Sequence, residues 1–189
     1  MIAPIQLPEP RRSGGMPLME ALAKRFSGRN FSDRALPLQT LSELLWAAYG
    51  FNREAKRTAP SSHNRQEAEL YVFIKEGVFL YDAFKNTLEP VAEGDLRSLT
   101  GIQEFAGNCA VNIAIVCDRR KITGKTPQGV IETIYSDTGF ISQNIYLYAA
   151  SEGLISVTRA LVDKEALASR LGLGPEKTIT LIHSVGYSE

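Results

Sequence analysis

Three short segments hold more polar functionality than packing alone requires. The first, Arg25-Phe26-Ser27-Gly28-Arg29-Asn30-Phe31, sets two guanidinium groups four residues apart with a hydroxyl between them. Arg presents a planar fork of donors that matches phosphate oxygens, so Arg25, Ser27 and Arg29 can converge on a phosphate while Phe26 and Phe31 pack the segment down. The alternative is a solvated basic helix end, favoured by the helix dipole. The second, Thr58-Ala59-Pro60-Ser61-Ser62-His63-Asn64-Arg65-Gln66, places Ser, Asn and Gln groups on a turn led by Pro60. Such groups suit the amide-like edge of a planar heterocycle, although an ordinary turn has the same composition. His63 is a candidate proton relay or an exposed turn residue. The third, Asp137-Thr138-Gly139-Phe140-Ile141-Ser142-Gln143-Asn144, lies inside a helical pattern. A glycine in a helix interior costs roughly 1 kcal/mol relative to Ala, so Gly139 suggests that something approaches the backbone closely. Gln143 and Asn144 also read as satisfied core amides.

These segments need elements to hold them. Residues 1–16 form an extended arm, since Pro4, Pro8, Pro10, Gly14 and Gly15 interrupt any regular element. Residues 17–189 read as a single domain. From Pro17, the residues Leu18, Leu22 and Phe26 recur at helical spacing, and a second helix is expected over Thr40–Tyr49 with Gly50 at its end. Ala68–Ile74 reads as a strand that turns at Glu76-Gly77 into Val78–Tyr81. Ala110–Cys117 has the length and composition of a buried strand. Ile131–Ser151 sustains apolar residues at Ile134, Ile141, Ile145, Tyr148 and Ala149, which predicts a long core helix. Leu154–Val157 and Thr178–Val185 are further strands around a helix over Asp163–Leu171, stopped by Gly172. The class is therefore α+β or mixed α/β. Arg119–Gly129, with its basic residues, Pro127 and two glycines, is a candidate mobile cover.

Composition removes other functions. Of 189 residues, 44% are apolar and 22% charged, and 21 Lys and Arg balance 21 Asp and Glu. A core is available, and no basic field points to nucleic acid. No run of about 18 apolar residues exists and the first residues do not form a secretory h-region, so neither a membrane nor secretion is expected and the location reads as cytoplasmic. Cys109 and Cys117 stand alone, without a CxxC or a His cluster. They are expected to be buried free thiols rather than metal ligands. Phosphate-loop and GxGxxG patterns are absent, as is a nucleophile and base constellation.

Taken in order, the three segments resemble the nitroreductase family. Arg25, Ser27, Arg29 and Phe31 meet its opening motif. Pro60, Ser61, Ser62, Asn64 and Gln66 meet its second, and Asp137, Gly139, Gln143, Asn144, Ala149, Ala150, Gly153 and Leu154 its third. The arm, the run Leu44–Gly50 and Gly94-Asp95-Leu96-Arg97 are similar in particular to the branch that includes SagB-type dehydrogenases. The resemblance implies an α+β sandwich, a central mixed and mainly antiparallel sheet flanked by helices, with the long helix in the core of a homodimer. It implies FMN at the interface: Arg25, Ser27 and Arg29 on the phosphate and ribityl end with Phe26 giving backbone contacts, and Pro60, Ser61, Ser62, Asn64 and Gln66 from the other subunit along the ring. Leu154, Ile155 and Ser156 would pass the ring's other side. Many members place a Lys or Arg close to the C-terminus for the phosphate, whereas Ser184–Glu189 holds none; Arg159 is the candidate substitute. The implied reaction is ping-pong, NAD(P)H reducing the flavin and an electron-poor acceptor of nitroaromatic or quinone type oxidising it. The same resemblance leaves open a flavin-dependent dehydrogenase acting on an organic or peptide substrate, and a flavin-storage protein without turnover.

Overall fold

The computed structural model describes residues 2–189. Its strands are β1 (Ile5–Gln6), β2 (Phe51–Arg53), β3 (Lys56–Arg57), β4 (Ala68–Ile74), β5 (Gly77–Asp82), β6 (Thr87–Glu93), β7 (Val111–Asp118), β8 (Ile155–Arg159) and β9 (Lys177–Gly186). Its helices are α1 (Leu18–Lys24), α2 (Leu38–Tyr49), α3 (Phe105–Asn108), α4 (Pro127–Ser151) and α5 (Lys164–Arg170). Seven strands make one sheet in the order β1-β6-β5-β4-β7-β9-β8, and β2 and β3 form a separate hairpin. Every strand pairing in the large sheet is antiparallel. Parallel character enters through the isolated bridge from Ser27 to Ser156.

Side-chain alternation divides the sheet into two buried faces. On β4 and β7, Leu70, Val72, Val111, Ile113, Ile115 and Cys117 pack towards α2 and α4, against Leu44, Leu45, Ile134, Ile141 and Ile145. Tyr71, Phe73, Ala114 and Val116 pack the other way, against Leu167 and Leu171 of the α5 segment. Both faces being covered, β7 is buried along its whole length, as its apolar stretch Ile113–Cys117 requires. Cys109 and Cys117 are buried free thiols, as expected.

The structure departs from the sequence reading in four places. The arm is built in: Ile5 and Gln6 pair with Leu88 and Thr87, Leu7 is buried, and Arg11 grips the Glu43 carboxylate at 2.7 Å. Strand β6 escaped notice because Pro90 and alternating acidic residues disguise it. Pro90 sits opposite Phe79 next to a register shift and beyond the two residues that β1 pairs, so its missing N–H leaves no gap in the ladder. The helical stripe Leu18, Leu22 and Phe26 is exposed at 62%, 44% and 57%, and α1 buries only Ala21. Finally, the presumed cover is tied down. Asp118 accepts the Arg120 backbone N–H at 3.0 Å and its guanidinium at 2.7 Å, and Lys121 Nζ donates to the Gln66 carbonyl at 2.8 Å. Thr126 caps α4 through Gly129 N at 3.1 Å, so Pro127 to Gly129 belong to the helix's first turn.

Candidate functional site

Both polar clusters are fixed to α4, one on each flank. Asp137 and Tyr146 are nine residues apart. At 3.6 residues per turn this turns their side chains about 180° from one another and separates them by roughly 14 Å along the axis. Each is buried, and each holds one of the predicted segments.

On the Tyr146 flank, α1 ends at Lys24 and the chain runs extended beside β8. Gly28 N–H donates to the Ser156 carbonyl at 3.1 Å. A Cβ at residue 28 would come within 2.8 Å of the Ile155 side chain, so only glycine lets the segment lie this close. Tyr146 Oη accepts the Thr158 N–H at 2.9 Å and lies 2.9 Å from Ser27 Oγ. Having accepted from Thr158, it can donate its own proton to Ser27, an arrangement that would free the Ser27 proton for an incoming oxygen. The Arg25 guanidinium lies over the Tyr146 ring at 5.0 Å, and Arg29 reaches only the Ser27 carbonyl at 3.3 Å. Among the described residues neither arginine has a carboxylate partner. Phe26 is exposed, while Phe31 is buried and bridges to Ser188.

Leu154, Ile155 and Ser156 are buried. Ser156 Oγ lies 3.0 Å from His183 Nδ1, and His183 Nε2 lies 2.7 Å from Ser142 Oγ. Burial, aided by the charge of Arg159, pushes the His183 imidazole down to about 3. It is a neutral brace between β8, β9 and α4. Arg159 does not complete a phosphate site. It is buried, and its guanidinium donates to the Thr100 carbonyl at 2.7 Å, Asn112 Oδ1 at 2.8 Å and Ser184 Oγ at 2.9 Å. Each of its three guanidinium nitrogens donates to an interior oxygen.

On the Asp137 flank, Asp137 Oδ2 accepts the Ser62 N–H at 2.8 Å. Ser61 Oγ accepts the Gln66 N–H at 2.9 Å. The Gln66 amide accepts from Arg57 Nε at 3.0 Å and donates to the Ala55 carbonyl at 2.9 Å and Asn64 Oδ1 at 3.1 Å. Arg57 is itself clamped between the rings of Tyr49 and Phe51, at 4.5 and 4.2 Å. Within this mesh His63, Asn64 and Gln66 adopt positive φ of 54°, 54° and 49°. Such backbone persists only where its surroundings over-determine it, as functional loops do. Pro60, Ser61, His63 and Asn64 line a cleft of about 590 Å3 with Asn52, Arg53 and Lys56 of the β2–β3 hairpin. Its lining carries no acidic residue. A second cavity of about 380 Å3, between Ile5, Leu36, Leu41, Ile74 and Val111, touches neither cluster.

Tyr146 and His183 escaped the sequence reading because a buried Tyr and a buried His look like core. Only the half-turn offset between Asp137 and Tyr146 on a long helix carries a signal. Of the third segment, Asn144 donates to the Ala47 carbonyl at 3.0 Å and is a satisfied amide. Within the chain nothing approaches Gly139: a Cβ there would meet no atom within 4 Å. No group of three or more His, Cys, Asp or Glu among the described residues could hold a metal, and no helix among them is long and apolar enough to cross a membrane.

The same fold recurs in known proteins. The model of the Nitroreductase family matches residues 22–187. The crystal structure of a putative nitroreductase from Ralstonia eutropha JMP134 superposes with a TM-score of 0.93 at 36% identity, covering 100% of this chain and 90% of that one. "Putative nitroreductase MJ1384" of Methanocaldococcus jannaschii is 27% identical over 165 residues, 82% of each chain. An FMN-dependent nitroreductase from Clostridium difficile R20291 shares the fold with a TM-score of 0.63 at 23% identity, over 90% of this chain and 87% of that one. A match over residues 22–187, carried by a fold that agrees from end to end, means that this chain belongs to the nitroreductase family and is an oxidoreductase.

Proposed function

We propose that the protein is an FMN-dependent oxidoreductase working as a homodimer, with each flavin held between the Arg25–Arg29 cradle of one copy and the Pro60–Gln66 loop of the other. The observation that carries this reading is the placement of the two clusters on opposite flanks of α4. One chain cannot close both on a single ring system, whereas two chains packed across the helix can. The surface between the flanks supports it: Tyr135 and Phe140 of α4 and Leu18, Met19 and Leu22 of α1 are exposed, and Gly139 has open space beside it. Exposed apolar side chains on two helices that pack together suit an interaction site.

The residues fit the flavin. Arg25 and Arg29, without acidic partners, and Ser27, with a proton to give, suit a phosphate. Phe26 would add backbone contacts. Pro60, Ser61, Ser62 and Asn64 would line the ring, Gln66 fixing the Asn64 amide, and Leu154, Ile155 and Ser156 would offer backbone from the other side. Bound there, FMN supplies the two-electron redox chemistry, which is why no acid, base or nucleophile constellation is needed. Arg53, Lys56 and His63 around the cleft beside the loop suit the phosphates of NAD(P)H as electron donor. The acceptor is an electron-poor molecule of nitroaromatic or quinone type, stacking where the donor has left. After FMN addition and desalting, the protein should keep a flavin absorbance spectrum and bleach on anaerobic addition of NADH or NADPH. A colourless protein would overturn the reading, and a coloured one that neither donor bleaches would overturn its donor.

A further inference from the structure

Glu67 stands between the loop and β4, and its carboxyl is fully buried with neither oxygen meeting a hydrogen-bond donor. It lies against the carboxyl of Asp137. Two carboxylates are both acceptors and cannot bond to each other; they can only when one carries a proton. Burial first, and then the neighbouring Asp137, push the Glu67 carboxyl up to about 7, against the opposing pull of its own backbone N–H and, more weakly, of Lys121, which also donates to the Gln66 carbonyl. The other groups that feel the pair are Tyr49 from α2 and Cys117 from β7. Burial raises both, so neither brings a charge at neutral pH. The Tyr49 hydroxyl is itself buried without a partner.

We propose that Glu67 is a positioning residue for the Pro60–Gln66 loop: it holds a proton that it donates to Asp137, leaving Asp137 a fixed oxygen for the Ser62 amide. Losing that proton sets two buried carboxylates against each other and loosens the one side-chain acceptor that the Ser62 N–H has. The loop, strained at three residues, then no longer holds its shape. The inference rests on the reading that this loop lines a flavin.

The folded chain keeps the Glu67 proton up to about pH 7, whereas an ordinary carboxyl gives it up near 4.5. The folded state therefore binds more protons in that window, and the stability that the shared proton contributes is lost as pH rises through it.

The test compares wild type with Glu67→Gln, which keeps a donor at all pH values. The unfolding midpoint of the flavin-free protein should fall between pH 5 and 8 in wild type and stay flatter in the variant. FMN affinity, read by quenching of flavin fluorescence, should drop roughly fivefold in wild type from pH 6 to 8.5, the worth of about one hydrogen bond. In E67Q it should hold at its acid value. The same pH profiles in both proteins would overturn the shared proton. A midpoint that follows Glu67 while FMN affinity does not would overturn the positioning role. Absence of FMN binding at any pH would overturn the functional reading and leave the midpoint to decide the pair. Should E67Q fail to fold, infrared difference spectra of wild type between pH 6 and 8.5 decide instead: the C=O stretch of an un-ionised carboxyl must be present at pH 6 and gone at 8.5.

Discussion

The Arg25–Arg29 cradle and the Pro60–Gln66 loop flank the same helix but are built on opposite principles. The cradle presents groups with little to do inside the chain: Arg29 makes one long bond to its own segment, and Arg25 rests on an aromatic ring. In the loop nearly every polar group is already engaged, and three left-handed residues store strain of order 1 kcal/mol each. The difference matches the two jobs proposed for them. A phosphate is recognised by charge, which tolerates mobile donors. A planar ring is recognised by shape, which must exist before the ligand arrives.

Breaking the cradle should have the largest effect on binding and almost none on folding. Replacing Arg25 and Arg29 together with Ala removes two charge-assisted contacts of about 1.5–3 kcal/mol each. Flavin affinity should fall by roughly two orders of magnitude or more, with the thermal midpoint little moved because Arg29 is exposed and Arg25 loses only its contact with the Tyr146 ring. Breaking the loop should act on folding as well as on binding. Asp137→Ala strips the Ser62 amide of its acceptor and leaves Glu67 buried without its neighbour, so it should cost about 1–3 kcal/mol of stability in denaturant titration. Flavin affinity should fall by roughly tenfold.

Gly139→Ala sharpens the comparison from between the two regions. In an isolated chain the added methyl meets nothing and removes a helix glycine, a gain of about 1 kcal/mol. Across a dimer seam it would hold the helices apart. The variant should therefore weaken self-association in sedimentation while keeping its helicity; unchanged association would move the dimer seam away from α4. The smallest effect is expected for Tyr146→Phe, which deprives Thr158 N–H and Ser27 of a partner. Isothermal titration should show FMN affinity reduced roughly fivefold, the worth of about one hydrogen bond, with the loop's pH dependence intact.

Legibility in the sequence followed the same division. Motif residues at exposed turns announced themselves, because Pro, Ser and Asn at fixed offsets serve no packing purpose. Strands β4, β5 and β7 and helix α4 were readable from periodicity. What escaped depended on burial that no local pattern encodes. Leu18, Leu22 and Phe26 have core-like spacing, yet their stripe faces outward, since periodicity tells that a face is apolar and not what covers it. Arg159 has the composition of a phosphate ligand and is an interior brace. Residues 119–129 have loop composition, and ion pairs and a helix cap fix them. Glu67 is one acidic residue among many until its surroundings are seen.

The most direct test of the shared site is complementation between two defective copies. One copy carries Arg25→Ala and Arg29→Ala; the other carries Ser61→Trp, which fills the cleft beside the loop. Each alone should be nearly colourless after FMN addition and desalting. Co-expressed, mixed dimers combine the sound cradle of one copy with the sound loop of the other, so flavin absorbance and donor-dependent bleaching should return. A co-expressed pair that forms mixed dimers yet stays colourless would contradict a site divided between two chains.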